Sequence, residues 1–328
     1  MVSTLAPHFT RMRVTDTGEG KGVGWLRPFV KLARTARSWW SVRGSDAVYI
    51  SVNVGNGMWL STVAAGLARA AGAQLFLHHH SYAYVRERKR RMVALTRVAG
   101  PGARHIVLAK SMASDLRLAM PEIPHPLVIG NAGLIDRTIL ELPLKTDSGD
   151  LILGHLGSLT LTKGIVEVVD LALALHQAGA RIRLIVGGST LDSEAEVQLE
   201  RAARELGELF EYRGPLLGEA KHRFFREITH FVFPSRYVHE AVPLVLYEAL
   251  AAGVVCVATS QGSIPEQLAA SPSVVAGSAD SFAEEALPVL TGASVSAKTS
   301  LECRQAYQLA LRESERQLAD LIDLIARQ

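Results

Sequence analysis

The chain has 328 residues, 48% of them hydrophobic, with 35 Lys and Arg against 32 Asp and Glu. That length has room for two domains of ordinary size, and that composition excludes a disordered chain. The apolar runs stay short of the roughly 18–20 residues that span a bilayer, and two distant cysteines, Cys256 and Cys303, exclude a disulfide framework.

Strand-like apolar runs alternate with longer amphipathic patterns almost throughout, which predicts parallel α/β sheets. In the first half the expected strands are Met12–Thr17, Ala47–Val52, Gln74–His79, His105–Ala109 and Leu127–Ile129. The expected helices are Leu26–Trp40, Gly57–Ala71, Tyr82–Ala99 and Ser111–Ala119. The polar stretch Leu142–Asp150 carries turn formers and reads as a linker. In the second half strands are expected at Leu151–Leu156, Ile182–Val186, Phe210–Arg213, His230–Phe233, Val254–Thr259 and Ser273–Val275. Helices are expected at Ile165–Ala178, Ser193–Leu206, Glu219–Glu227, Leu244–Ala252 and Phe282–Leu290, with one long helix over Leu301–Gln328. The domains expected are 1–148, 149–300 and a C-terminal helix, 301–328, returning to the first domain. Charge is uneven: residues 1–150 hold about 20 Lys and Arg against about 10 acids, and the remainder is acidic on balance. A basic half suits nucleic acid, an anionic membrane surface or an anionic substrate; no nucleic-acid motif supports the first.

The stretch FPSRYVHEAVPLVLYE, Phe233–Glu248, is the most informative. Glu240 falls in a loop after an apolar run, and Glu248 comes next inside a helical pattern. Pro243 sits where the helix would begin, a position that needs no intrahelical amide. The unpaired amides of Leu244, Val245 and their neighbours, with the helix dipole, would attract phosphate. Helical side chains tilt back toward the N-terminus, so Glu248 leans toward the region of Glu240. The pattern reads as an anion site flanked by two carboxylates, suited to a ligand with phosphates and sugar hydroxyls.

Pro234, Ser235, Glu240, Pro243, Glu248, Ala249, Ala251 and Gly253, with GHLGSLTLTKG upstream and VVCVATSQGSIPEQL downstream, resemble the retaining GT-B-fold glycosyltransferases of family 4, glycosyl transferases group 1. The resemblance covers the second half and, more weakly, the first. It implies two Rossmann-like domains with a cleft at their carboxyl edges. Relatives begin with a strand and a glycine-rich loop, whereas Val2–Phe9 here reads as the first helix already. The N-terminal domain is therefore a candidate for lacking its first strand, through truncation or as a reduced form.

The resemblance places Glu240 beside the donor sugar, where it bonds hydroxyls and stabilises positive charge. The plain alternative is a solvated loop carboxylate. It gives Glu248 a ribose diol; the alternative is a helix-surface residue. Lys163, between a strand and the helix-starting Gly164, would be unfavourable against a helix dipole unless a phosphate partners it. The family's basic residue in GR...KG is replaced by Ser158 or nearby polar residues, which leaves Arg183 or Arg213 to supply a second charge. Gly187 and Gly188 end a strand or let the backbone approach a ligand. Arg213 and Gly214 resemble the segment whose backbone lies beside the nucleotide base.

His78, His79 and His80 cannot all face one ion, because adjacent strand residues point to opposite faces. The resemblance brings one of them, taken as His80, to the donor sugar or acceptor. Arg86–Arg91 on a helix is either a solvated face or a basic surface for an anionic membrane, as in relatives with lipid-linked acceptors. Asn131 is read as a structural turn.

The sequence is thus expected to encode a transferase that moves a sugar from a nucleotide-sugar to a glycan or lipid-linked acceptor with retention. No metal or other cofactor is expected. The location expected is cytoplasmic, with a peripheral inner-membrane attachment as one reading. Two alternatives stay open: a non-catalytic binding or accessory protein of the same fold, and a sugar-nucleotide epimerase.

Overall fold

The computed structural model describes residues 13–14, 42–146 and 149–326. The expected elements Val2–Phe9, Met12–Thr17 and Leu26–Trp40 lie outside them, apart from 13–14, which are irregular. The chain forms two compact units, one running up to Gly130 and taking in the stretch from Ser314 onward, the other Asn131–Glu313.

The first unit is built on β1 (Ala47–Ser51), β2 (Gln74–His78), β3 (Arg104–Val107) and β4 (Leu127–Val128). These run parallel in the order β1-β2-β3-β4. Among the described residues the sheet winds in one direction. Its crossovers are α1 (Met58–Ala70), α2 (Arg90–Ala99) and α3 (Lys110–Ala119). Phe76, Ile106 and Ile129 form one core cluster of this unit with Leu321, from the C-terminal helix.

The helix expected over Tyr82–Ala99 is broken. A single 3-10 turn, Tyr82–Tyr84, is capped by the Ser81 hydroxyl, and Lys89 is extended before α2 starts at Arg90. Tyr82, Tyr84 and Val85 are buried there. In the basic cluster, Arg86 pairs with Asp115, Arg88 with Glu122 and Lys89 with Glu87. The cluster is therefore not one basic helical face; only Arg90 and Arg91 lie on a helix.

The second unit carries β5 (Leu151–Leu156), β6 (Ile182–Gly187), β7 (Phe210–Tyr212), β8 (His230–Phe233), β9 (Val255–Thr259) and β10 (Val274–Ala276). All run parallel, in the order β10-β9-β8-β5-β6-β7. The crossovers are α4 (Ile165–Gln177), α5 (Ser193–Leu206), α6 (Gly218–Glu227), α7 (Leu244–Ala251), the short α8 (Ile264–Leu268) and α9 (Phe282–Leu290). The long α10 (Ala297–Ala326) closes the described chain. Continuous apolar strands reflect burial on both faces. IVEVVDLALALHQ makes α4 apolar on most of its circumference, because it packs against the sheet, α5 and α9 at once. Leu142 and Lys145, in the polar stretch before β5, are buried in this unit. The Lys145 ammonium donates to the Phe225 and Arg226 carbonyls at the end of α6, and burial lowers its pKa to about 8. Cys256 and Cys303 are free buried thiols.

Strand order reverses between β5 and β8. The chain winds outward through β6 and β7 on one side and through β9 and β10 on the other. The loops after β5 and β8 therefore leave in opposite directions and open a crevice beyond the strand ends, where ligands bind in open α/β sheets. Among the described residues no helix is long and apolar enough to cross a membrane.

Candidate functional site

The turn after β5 lines one side of the crevice. Thr160 caps a 3-10 turn, Leu161–Lys163, by accepting from the Lys163 amide. Gly164 then takes φ +84°, and a Cβ there would lie 2.1 Å from the Pro234 carbonyl oxygen. Only glycine combines that left-handed backbone with so close an approach. The turn is thereby pressed against the loop after β8.

That loop, 234–243, is held by several bonds. The Arg236 amide donates to the Thr162 carbonyl (2.9 Å), and the Thr259 hydroxyl donates to the Ser235 carbonyl (2.7 Å). Asn131 Nδ2 donates to the Val242 carbonyl (2.9 Å). The Arg236 guanidinium reaches Glu167 (2.5 Å), in the first turn of α4, and Asp280 (2.7 Å). Within this frame Lys163 Nζ donates to Glu240 Oε2 at 2.6 Å, and the Ser235 hydroxyl donates to the same oxygen at 3.1 Å. The Lys163 ammonium lies 5.0 Å from the Tyr237 ring centroid, close enough for a cation–π attraction.

Pro243 is the extended N-cap of α7 and not the first helical residue that the sequence pattern predicts. Its carbonyl accepts from the Leu246 amide, and the amides of Leu244 and Val245 are left without an intrahelical partner. Glu248, in the second turn of α7, is bound by Lys221 of α6 at 2.6 Å.

On the other side of β5, Ser158 is exposed and Gly187 ends β6. The Gly188 amide donates to the Gly214 carbonyl (2.7 Å), and a Cβ on Gly188 would sit 1.7 Å from the Gly157 carbonyl oxygen. The loops after β5, β6 and β7 are thus stitched edge to edge. Arg213 is held by two carboxylates, Glu211 (2.8 Å) and Glu227 (2.5 Å). Arg183 lies near the amino end of β6, away from the crevice, and pairs with Glu211. Neither arginine is placed as a second charge beside Lys163: one is neutralised and the other is at the wrong end of its strand.

His80 belongs to the first unit. It is exposed, with its ring 4.0 Å from that of His78. His78 is bonded to the Tyr49 hydroxyl, while His79 Nε2 is 2.9 Å from His105 Nδ1. His79 is thus tied to a different partner from the His78–His80 ring pair. Among the described residues no group of three or more His, Cys, Asp and Glu could hold a metal ion. Sequence reasoning did not find Lys221, Arg236, Tyr49 or His105. Arg236 and Ser235 stand inside the quoted motif, but Lys221 is 27 residues from its partner with no local signal.

The second unit therefore gathers an ammonium, a carboxylate and a helix N-terminus at the switch point of a parallel sheet. Such a set can hold a phosphorylated sugar, with cation and amides on phosphate and carboxylate on hydroxyls. Solved structures share the fold. A sucrose-phosphate synthase from Thermosynechococcus elongatus superposes with a TM-score of 0.70 at 18% identity, covering 96% of this chain and 83% of that one. Anabaena Alr3699/HepE, solved in complex with UDP, superposes with a TM-score of 0.69 at 16% identity, covering 88% and 82%. The fold is GT-B, with two Rossmann-like α/β units. EpsF of Bacillus subtilis (strain 168) is 32% identical over 107 residues, 33% of this chain but only 27% of that relative. The family model for glycosyl transferases group 1 matches residues 136–304, about half of the chain and most of the unit that carries the crevice. With the switch-point site and that match together, the chain belongs to the glycosyl transferases group 1 family.

Proposed function

We propose that this protein transfers a sugar from a nucleotide-sugar to a glycan or lipid-linked acceptor with retention of configuration, as a hexosyltransferase of family 4. The observation that carries this reading is the Lys163–Glu240 pair at the switch point, beside the head of α7. HepE's complexes with UDP and UDP-glucose support a nucleotide-sugar as donor.

In this reading the donor diphosphate takes the Lys163 ammonium and the amides of Leu244 and Val245. Glu240 is released to the sugar hydroxyls. Glu248 receives the ribose, and the Gly187–Gly188 and Gly214 backbones line the nucleotide. Breaking the bond from the anomeric carbon to phosphate oxygen puts charge on the leaving diphosphate. A fixed ammonium and helix end stabilise that charge with little reorganisation. The acceptor oxygen bonds the anomeric carbon from the side the phosphate leaves, and its proton passes to the phosphate oxygen. The first unit takes the acceptor.

A donor-binding accessory protein is the second reading. It is favoured by the engagement of Arg213 with Glu211 and Glu227, which keeps that guanidinium from serving as a second charge beside Lys163. Turnover separates the two. Purified protein would be incubated with nucleotide-sugars and acceptor glycans, with released nucleotide and product anomer measured. Glu240→Gln should lower turnover about 100-fold or more, as for removal of a transition-state-stabilising group, while nucleoside diphosphate affinity stays within a few-fold. Unchanged turnover in the folded variant refutes the role of Glu240. Absence of any transfer by the unaltered protein, with binding retained, selects the accessory reading.

A further inference from the structure

Both glutamates of the motif carry a lysine at 2.6 Å, but the two lysines come from different places. Lys163 belongs to the turn after β5. Lys221 stands in the first turn of α6, the helix after β7 and the Gly214 loop. The Lys221 and Glu248 side chains are 21% and 13% exposed, so the pair is screened from water yet not sealed. Lys221 Nζ binds Glu248 Oε1. Glu248 Oε2 makes no hydrogen bond among the described residues and is not a buried orphan, so it reaches solvent.

An ionised carboxylate accepts only and has about four lone-pair sites. One ammonium on Oε1 leaves both lone-pair sites of Oε2 open to two further donors. Two vicinal hydroxyls present such donors at the right separation. A carboxylate lacking its cation would be costly in this half-buried place and free to rotate.

We propose that Lys221 is a positioning residue of a ribonucleoside subsite. It neutralises Glu248 and fixes its rotamer, so that Oε2 accepts from the 2′- and 3′-hydroxyls of a ribonucleotide. The subsite is selective for an intact diol. This inference rests on the donor reading above, and it assigns Lys221 a task distinct from that of Lys163. Lys163 acts on phosphate; Lys221 acts on ribose through Glu248.

The test is calorimetric titration of the full chain with UDP, 2′-deoxy-UDP, 3′-deoxy-UDP and inorganic pyrophosphate, with ADP and GDP as further probes. The unaltered protein should prefer UDP over either deoxy compound by about tenfold, the value of one good hydrogen bond to a charged group. Lys221→Met should bind UDP about tenfold more weakly, lose that preference to within about twofold, and bind pyrophosphate unchanged. Lys221→Arg should restore the preference. Lys221→Gln, which keeps polar hydrogens without charge, covers the case in which the Met variant does not fold. A preserved preference for the diol, or equal losses for UDP and pyrophosphate, overturns the inference while leaving the donor reading standing. Failure of the unaltered protein to bind UDP, ADP or GDP overturns the donor reading itself.

Discussion

Replacing Lys163 by Met removes the ammonium at the switch point and keeps most of the side-chain volume. The pair it forms with Glu240 spans 2.6 Å, with the side chains 27% and 11% exposed. Exposed pairs contribute about 0–1 kcal/mol, and breaking a fully buried one costs about 3–5 kcal/mol. This intermediate pair should contribute about 1–3 kcal/mol, or a Tm lower by about 2–10 °C for a unit of this size. Ligand binding shows the role more sharply. A charged hydrogen bond to phosphate is worth about 1.5–3 kcal/mol, but the ammonium must first leave Glu240. The net loss for a nucleoside diphosphate should be about 1–2 kcal/mol, a factor of about 5–30. The nucleoside alone, which offers no phosphate, should lose less than twofold. Calorimetric titration of UDP and uridine against both proteins reads the difference. Equal losses for the two ligands would show that Lys163 only supports the fold, and the phosphate assignment would fall.

Further outcomes are expected. Gly164→Ala forces a β-carbon against the Pro234 carbonyl at φ +84°, so about 1–2 kcal/mol of backbone strain adds to about 1–3 kcal/mol of overpacking. A thermal melt within about 2 °C of the parent would refute that close approach. Burial lowers the pKa values of His105, His155 and His230 to about 4. The unfolded chain, titrating near 6.5, then binds more protons than the folded one between those values. Stability is complete above about pH 6.5 and lost as pH falls toward about 4, by up to about 3 kcal/mol per histidine. Denaturant midpoints that stay flat from pH 7 to 4.5 would contradict this burial. If the acceptor is lipid-linked, exchanging Arg90 and Arg91 for Gln should weaken salt-sensitive binding to anionic vesicles by about fivefold per residue. Co-sedimentation that is indifferent to both changes would remove the membrane from the reading.

The sequence by itself determined the alternation of strands and helices, because parallel strands buried on both faces and amphipathic crossovers leave local, periodic traces. Leu151–Leu156, His230–Phe233, Ser193–Leu206 and Phe282–Leu290 fall where those patterns put them. The motif also marked Lys163 and Glu240, since glycine, proline and helix-start residues are constrained by their own backbone. Tertiary structure alone decided what those residues meet. Strand order created the crevice between β5 and β8, and no local pattern encodes which strands become neighbours. The break after Tyr84 came from buried aromatic and aliphatic side chains overriding a helical periodicity. The ion pairs that occupy Arg213, Arg86 and Arg88, and the Lys221 partner of Glu248, join residues distant in sequence or on separate elements. No local pattern encodes these distant pairings, so a sequence shows how many cations a chain has, and only the fold shows which of them its own carboxylates have already claimed.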